Sequence, residues 1–295
     1  MKIGIIGSGL AAVAAGRELI KAGPAVTVIE KTGMPGGRLT SAKGGEGGDI
    51  LCDYGTSWFT AETPELRRFV AELLDQGLVK VWDRGEFWHY DGEQLLKMNP
   101  NSTRQVKYIA PGGMGSIARD LSRWLDIRTE EKAGGLTYLG ANRGRKRAWM
   151  VNLTTFNTME ADAIVVAAPA PQAYGVLLTT QDETPVLKLI REIDEVYYNH
   201  SYALMATYGS ADQPEWHGIS CNDSTLSFIS NENSKREMSE TSLVVWSSPE
   251  FAREQLRKGP ARDLKQIEEQ MLERLGTVLG SWASKARWSR LVWCR

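Results

Sequence analysis

"MKIGIIGSGLAAVAAGRELIKAGPAVTVIE", residues 1–30, decides the fold. Lys2–Ile6 and Ala25–Ile29 are short runs rich in Val and Ile, and such runs bounded by turn residues read as strands. Between them, a helix is predicted over Leu10–Ala22. Gly23 suits the position just after its last turn, and Pro24 cannot continue it. The result is strand–helix–strand, the connection a parallel pair requires. At the first turn stands Gly7-Ser8-Gly9-Leu10-Ala11-Ala12, with Gly16 one helical turn further on. Gly7 permits the tight turn off the strand, and Gly9 lets the backbone approach a pyrophosphate; Ala12 and Gly16 let the helix lie close to the sheet. The helix would then face the phosphates with free N–H groups and a partial positive charge. Glu30 ends the second strand about twenty residues after Gly9, where a carboxylate accepts ribose hydroxyls and repels a 2′-phosphate.

A second signature separates FAD from NAD. "EKTGMPGGRLTS", residues 30–41, places Gly36-Gly37-Arg38 shortly after Glu30. A further glycine pair with an arginine offers close backbone approach and a positive charge to the same pyrophosphate. The expected cofactor is therefore FAD.

The rest of the 295 residues fits two lobes, since single cores rarely grow beyond about 250–300 residues. A net charge of −1 provides no field that would gather nucleic acid. No run reaches the roughly 18 apolar residues of a membrane span, and the N-terminus enters a strand directly. The expectation is a soluble, cytoplasmic protein acting on a small molecule, with no nucleic-acid partner and no stable membrane insertion. Cys52, Cys221 and Cys294 have neither paired nor zinc-ligand spacing, so they read as plain thiols and no metal is expected. Asn101, Asn152 and Asn222 head chance glycosylation triplets.

Further along, "TPELRRFVAELLDQG" sets Leu66, Phe69, Val70, Leu73 and Leu74 on one helical face. Aromatic strands are expected over Trp82–Tyr90, a glycine loop and helix in "PGGMGSIARDLSRWL", and short strands with polar turns over Ile127–Thr155. A last helix, Ala261–Trp282, spaces Leu264, Ile267, Met271, Leu275, Val278 and Trp282 as a stripe. The basic run Arg143–Arg147 reads as a solvated hairpin tip and Asp162 as a turn residue. His89, His200 and His217 have no partner at useful spacing and read as surface or packing residues.

With these motifs the chain resembles the amine-oxidase-type flavoproteins, and within them the renalase-like branch. "IGIIGSGLAA" and "EKTGMPGGRLTS" match the family's FAD fingerprint and its follow-on. "CDYGTSWFTA" resembles the element that brings backbone close to the isoalloxazine, and "YIAPGGMGSIARDL" the loop and helix that accompany it. "ADAIVVAAPAPQA" is similar to a strand returning beside the cofactor, and "VVWSSPEFARE" to an element of the substrate lobe. Two departures stand out. The family's Ala-Gln is Thr56-Ser57 here, and the Gly-Asp element that follows its Arg-Trp segment does not follow Arg287-Trp288.

The resemblance implies an α/β fold: a Rossmann-type FAD-binding domain (1–60, 108–175 and 258–295) with an inserted smaller α+β substrate domain (61–107 and 176–257). It carries cofactor contacts to Gly7, Ser8, Gly9, Leu10, Ala11, Ala12, Glu30, Lys31, Gly36, Gly37, Arg38, Leu39, Thr40, Tyr54, Gly55, Thr56, Ile127 and Pro169. Trp58 and Phe59 are pocket candidates, whereas Trp82, Trp88 and Tyr90 read as packing. The implied activity is oxidation of a reduced nicotinamide-type or amine-like small molecule, by hydride transfer to flavin N5 with oxygen as acceptor. A catalytically impaired FAD- or NAD-binding relative and a polyene desaturase-like flavoprotein are the alternatives.

Overall fold

The computed structural model describes residues 1–82, 86–98, 105–140, 147–180, 183–209, 214–238 and 240–294. Asn101 and Arg143–Lys146 of the basic run lie outside the described residues. The chain forms two compact units, Met1–Leu39 with Gly115–Tyr197, and Thr40–Met114 with Tyr198–Arg295.

The first unit is built around β1 (Lys2–Ile6), α1 (Leu10–Lys21) and β2 (Ala25–Ile29). β1 lies between two parallel neighbours, β2 and the strand Ala163–Val166, and Asp126–Arg128 extends the sheet beyond β2. Ile5 sits opposite both Val28 and Val165. A parallel sheet covered on both faces needs apolar side chains at successive positions, and β1 supplies them. Ile3 and Ile5 pack with Ala12, Val26 and Val28 on the α1 side. Ile6 turns to the other face, where it meets Ile29, Val151, Leu153 and Met159. Gly4 shares that second face, because a Cβ there would lie 2.6 Å from Met159 Cε. This face is covered by an antiparallel three-stranded sheet, Ala133–Tyr138, Trp149–Leu153 and Thr158–Ala161. Asp162 behaves as a structural turn residue, its carboxylate accepting from the Lys2 N–H at 2.6 Å and from Arg147 at 2.8 Å.

The second unit holds a seven-stranded sheet in the order Trp288–Cys294, Ser201–Thr207, Ser242–Ser247, Leu226–Asn231, Gly218–Cys221, Phe87–Tyr90, Leu95–Lys97. Every pairing is antiparallel except that of Gly218–Cys221 with Phe87–Tyr90. Ser201–Thr207 is apolar almost throughout because both its faces are covered. Tyr202, Leu204 and Ala206 face Ile267, Met271 and Leu275 of the helix Leu264–Leu279. Ala203 and Met205 pack with Ile50 and Cys52. Residues 258–295 group with this unit, since Trp288–Cys294 pairs along the whole of Ser201–Thr207.

Two expected helical faces are narrower than their spacing implied. The last helix starts at Leu264, not Ala261, because Asp263 caps it by accepting from the Lys265 and Gln266 N–H groups. Leu264 itself is 52% exposed, so the buried stripe is Ile267, Met271, Leu275 and Val278. In Pro64–Asp75, Val70 and Leu73 are buried, while Leu74 is exposed. No helix among the described residues is long and apolar enough to cross a membrane. Among those same residues, no group of three or more His, Cys, Asp or Glu side chains could hold a metal ion.

Candidate functional site

The glycines after β1 differ in what requires them. Gly7 has φ +98°, and a Cβ on it would stand 3.0 Å from the Ala167 carbonyl oxygen. Gly37 has φ +59°, and its Cβ would come within 2.9 Å of the Gly9 Cα. Backbone conformation and contact both demand glycine at these two positions. Gly9 is different. Its φ of −69° suits any residue, and a Cβ there would meet only the Gly37 Cα, at 3.8 Å. The protein's own packing would accept a Cβ at position 9, so glycine there keeps open a space in front of α1. That helix starts with no side-chain cap and no acidic residue in its first turn. Its leading donors are therefore left to an outside acceptor, and a diphosphate fits both the clearance and the sign of the helix end.

Glu30 closes the other side of the turn. Its Oε2 accepts from the Ser8 N–H at 3.1 Å and the Ser8 hydroxyl at 2.6 Å. Its Oε1 accepts from the Thr32 N–H at 2.8 Å and the Thr32 hydroxyl at 2.6 Å. Burial alone would raise the carboxyl's pKa, but the hydrogen bonds from Ser8 and Thr32 outweigh it and hold the group below the ordinary carboxylate range. The sequence signals Glu30 as a ribose acceptor; its attachment to Ser8 and Thr32 emerges only in three dimensions.

The first unit gathers Gly7–Ala12, Glu30 and Gly36–Leu39 into one region. Gly36 donates to the Ser8 carbonyl at 3.1 Å, and Leu39 donates back to Gly36 at 3.1 Å. Lys31 and Arg38 are exposed beside this loop. Ile127 sits on Asp126–Arg128 opposite Val28, and Pro169 caps the helix Ala170–Leu177. Thr40, Tyr54, Gly55 and Thr56 belong to the second unit, where the Gly55 N–H donates to the Thr40 carbonyl at 3.2 Å.

Trp58 and Phe59 also lie in the second unit, in an aromatic patch. Trp58 meets Phe228 edge-on at 6.5 Å, and Phe59 lies 5.7 Å from Tyr108. The Lys107 ammonium, which sequence reasoning did not single out, stands 5.1 Å from the Trp58 ring and 4.4 Å from Phe87. Burial lowers its pKa. Trp82 is packing, as expected: it is buried, with its indole N–H donated to Ser234 at 3.1 Å. Tyr90 donates to the Gly92 carbonyl, His89 bonds Ser220, and His200 stacks on Trp293.

Sequence reasoning also missed a buried charge cluster in the second unit. Asp53, Glu232 and Lys235 are fully buried, and Arg236 nearly so. Arg236 donates to Asp53 at 2.6 Å and to Glu232 at 3.0 Å, and Lys235 to Glu232 at 2.7 Å. Asp53 also accepts from the Ser41 hydroxyl at 2.6 Å and the Met114 N–H at 2.8 Å. Burial would raise the Asp53 carboxyl, yet Lys235 and Arg236 hold it below its usual range. The one sequence signal was Asp53 inside "CDYGTSWFTA"; "SKRE", within a polar stretch, looks like a solvated turn.

Turn, helix end, carboxylate and second glycine pair together define a Rossmann-type dinucleotide-binding protein. Comparison with known families agrees: residues 5–73 match the NAD(P)-binding Rossmann-like domain, and residues 94–293 the flavin containing amine oxidoreductases. The chain belongs to the flavin containing amine oxidoreductase family, and its cofactor is FAD. Similar solved structures share the fold. A triple variant of putrescine oxidase is 14% identical with a TM-score of 0.72, over 98% of this chain and 84% of that one. Cyclohexylamine oxidase from Brevibacterium oxydans IH-35A is 13% identical with a TM-score of 0.73, over 99% and 84%. An oxidoreductase from Methanosarcina mazei is 13% identical with a TM-score of 0.70, over 99% and 87%.

Proposed function

We propose that the protein is a renalase-like FAD-dependent oxidoreductase whose substrate is a reduced nicotinamide-type or amine-like small molecule. FAD, when bound, supplies a two-electron acceptor. The substrate would give up a hydride to flavin N5, and oxygen would take the two electrons onward as peroxide. The observation that carries this reading is the clearance at Gly9 before an uncapped helix, flanked by Glu30 and the Gly36-Gly37 pair.

The chain's own residues would act by binding and orientation. The leading N–H groups of α1 would hold the diphosphate, with Gly9 and Gly37 giving backbone approach. Arg38 would add positive charge. Glu30, kept ionised by Ser8 and Thr32, would take the ribose. The resemblance carries further cofactor contacts to Ile127 and Pro169 of the first unit and, separately, to Tyr54–Thr56 of the second. Trp58 and Phe59 offer flat aromatic surface suited to a planar or cationic substrate.

The experiment is an anaerobic titration of the purified protein, followed at the flavin band near 450 nm (an approximate position for any flavin). Dihydronicotinamides or amines should bleach the band, and admitted air should restore it with peroxide formed. A band that responds only to polyenes would favour the desaturase-like alternative. A colourless protein that takes up no FAD would overturn the reading.

A further inference from the structure

Ser57 stands where the resembled family has a glutamine, and its hydroxyl is turned into the protein. Lys235 Nζ donates to Ser57 Oγ at 2.8 Å and to Glu232 Oε1 at 2.7 Å. Ser57 donates to Ser230 Oγ at 3.0 Å, and Ser230 donates to Glu232 Oε1 at 2.8 Å. The four side chains form a closed ring of hydrogen bonds, and all four are buried. Around the ring lies a second layer. Glu232 Oε2 accepts from the Asp53 N–H at 3.0 Å, and Arg236 joins Glu232 to Asp53. Two acids and two bases thus balance in charge within one cluster.

We infer that Ser57 and Lys235 are positioning residues, fixing the path of the Tyr54–Phe59 backbone and with it the placement of Trp58 and Phe59. The functional part of this inference rests on the flavin reading above; the structural part does not. Tyr54–Phe59 forms no helix or ladder. Its beginning is held by the Gly55 N–H on the Thr40 carbonyl and by the Trp246 indole on the Tyr54 carbonyl. Its end is held by the reciprocal bonds of Phe59 and Tyr108, at 3.1 and 2.8 Å. Ser57 is a side-chain tether between these anchors. Burying a lysine and two carboxylates costs several kcal/mol per ion before pairing, and apolar replacements of similar volume are often as stable. General stability is thus a poor reason for such a cluster, and fixing one backbone path is a better one. At this position Ser57 ties the backbone inward through Ser230 and Lys235.

The test compares amide hydrogen exchange in the unsubstituted protein and in Ser57→Ala, without added FAD. Ser57→Ala removes one neutral hydroxyl and leaves all four charges paired, so the variant folds. The amides of residues 55–58 should exchange about tenfold faster, as a local opening without global unfolding requires. Those of Ala133–Leu153 should be unchanged. After FAD loading, Ser57→Ala should shift the flavin band and the flavin reduction potential, and Lys235→Met should shift them further in the same direction. Unchanged exchange at residues 55–58 overturns the tether. Faster exchange with an unaltered flavin band and potential overturns its link to the cofactor. If the unsubstituted protein takes up no FAD, the flavin reading fails, and the exchange comparison still decides the tether.

Discussion

Gly9 and Gly37 are in backbone contact, yet a Cβ on Gly37 would collide with Gly9 at 2.9 Å whereas one on Gly9 would clear Gly37 at 3.8 Å. The asymmetry separates a glycine kept for the chain's own geometry from one kept for a ligand. Gly9→Val should therefore fold with a melting temperature close to that of the unsubstituted apoprotein, but purify without flavin. Gly37→Ala should lose about 1–3 kcal/mol of stability, because it forces a side chain into a left-handed, crowded position. Thermal melts and the flavin-to-protein absorbance ratio of both variants check the pair of outcomes. Full flavin retention by Gly9→Val would remove the proposed cradle.

Glu30→Ala should weaken FAD binding by about 1–3 kcal/mol through lost charged hydrogen bonds, read by calorimetry on the apoprotein. The loss should exceed that of Thr32→Ala, which leaves the carboxylate in place. Equal affinity in Glu30→Ala and the unsubstituted protein would exclude Glu30 from the ribose.

Asp53 gives the acid side of the stability profile its sign. Its pKa is lowered on folding, so its contribution is complete above the unfolded carboxylate value of about 4 and is lost as pH falls through the folded value below it. Denaturant midpoints should fall on acidification below about pH 4. Asp53→Asn should flatten that decline while lowering stability at neutral pH, since Arg236 and Lys235 then lack half their counter-charge. A decline of unchanged steepness in the variant would assign the acid limb to other groups.

Leu275 and Leu264 lie on one helix and differ in burial, 0% against 52% exposed. Leu275→Ala should cost about 2–5 kcal/mol, as other buried leucines do, and Leu264→Ala less than about 0.5 kcal/mol. Urea unfolding of the two variants distinguishes them, and similar losses would contradict the shortened stripe.

The three thiols should be slow to alkylate in the native state. Burial pushes Cys52 and Cys221 up to about 12 and Cys294 up to about 11, so little thiolate exists at pH 8. Mass spectrometry after iodoacetamide treatment should find modification only once denaturant is added. A rapidly labelled native thiol would show that one of these pockets opens.

What the sequence disclosed was local. β1, α1 and β2 follow from strand composition, a stop at Gly23-Pro24 and a motif spanning six residues. Each of these acts over a few positions, so each leaves a readable mark. The cluster of Asp53, Glu232, Lys235 and Arg236 joins segments some 180 residues apart in the chain. Lys235 is buried with its ammonium 5.2 Å from the Trp82 ring and bonded to Ser57, and no spacing within "NENSKREMSE" announces this. Lys107 was overlooked for a similar reason, since its partners Trp58 and Phe87 lie on separate segments. The parallel pairing of Phe87–Tyr90 with Gly218–Cys221 likewise has no short-range signature. Long-range closure, more than local propensity, was the illegible part.

One consequence of the strand order concerns synthesis. β1 lies between β2 and Ala163–Val166, so more than half the chain must leave the ribosome before its second edge is covered. Until then a nascent chain displays an apolar ribbon with unpaired amides on one side, a surface that invites mispairing with other chains. A chaperone guarding the emerging polypeptide would find its binding site on β1, immediately ahead of the turn that later meets the coenzyme.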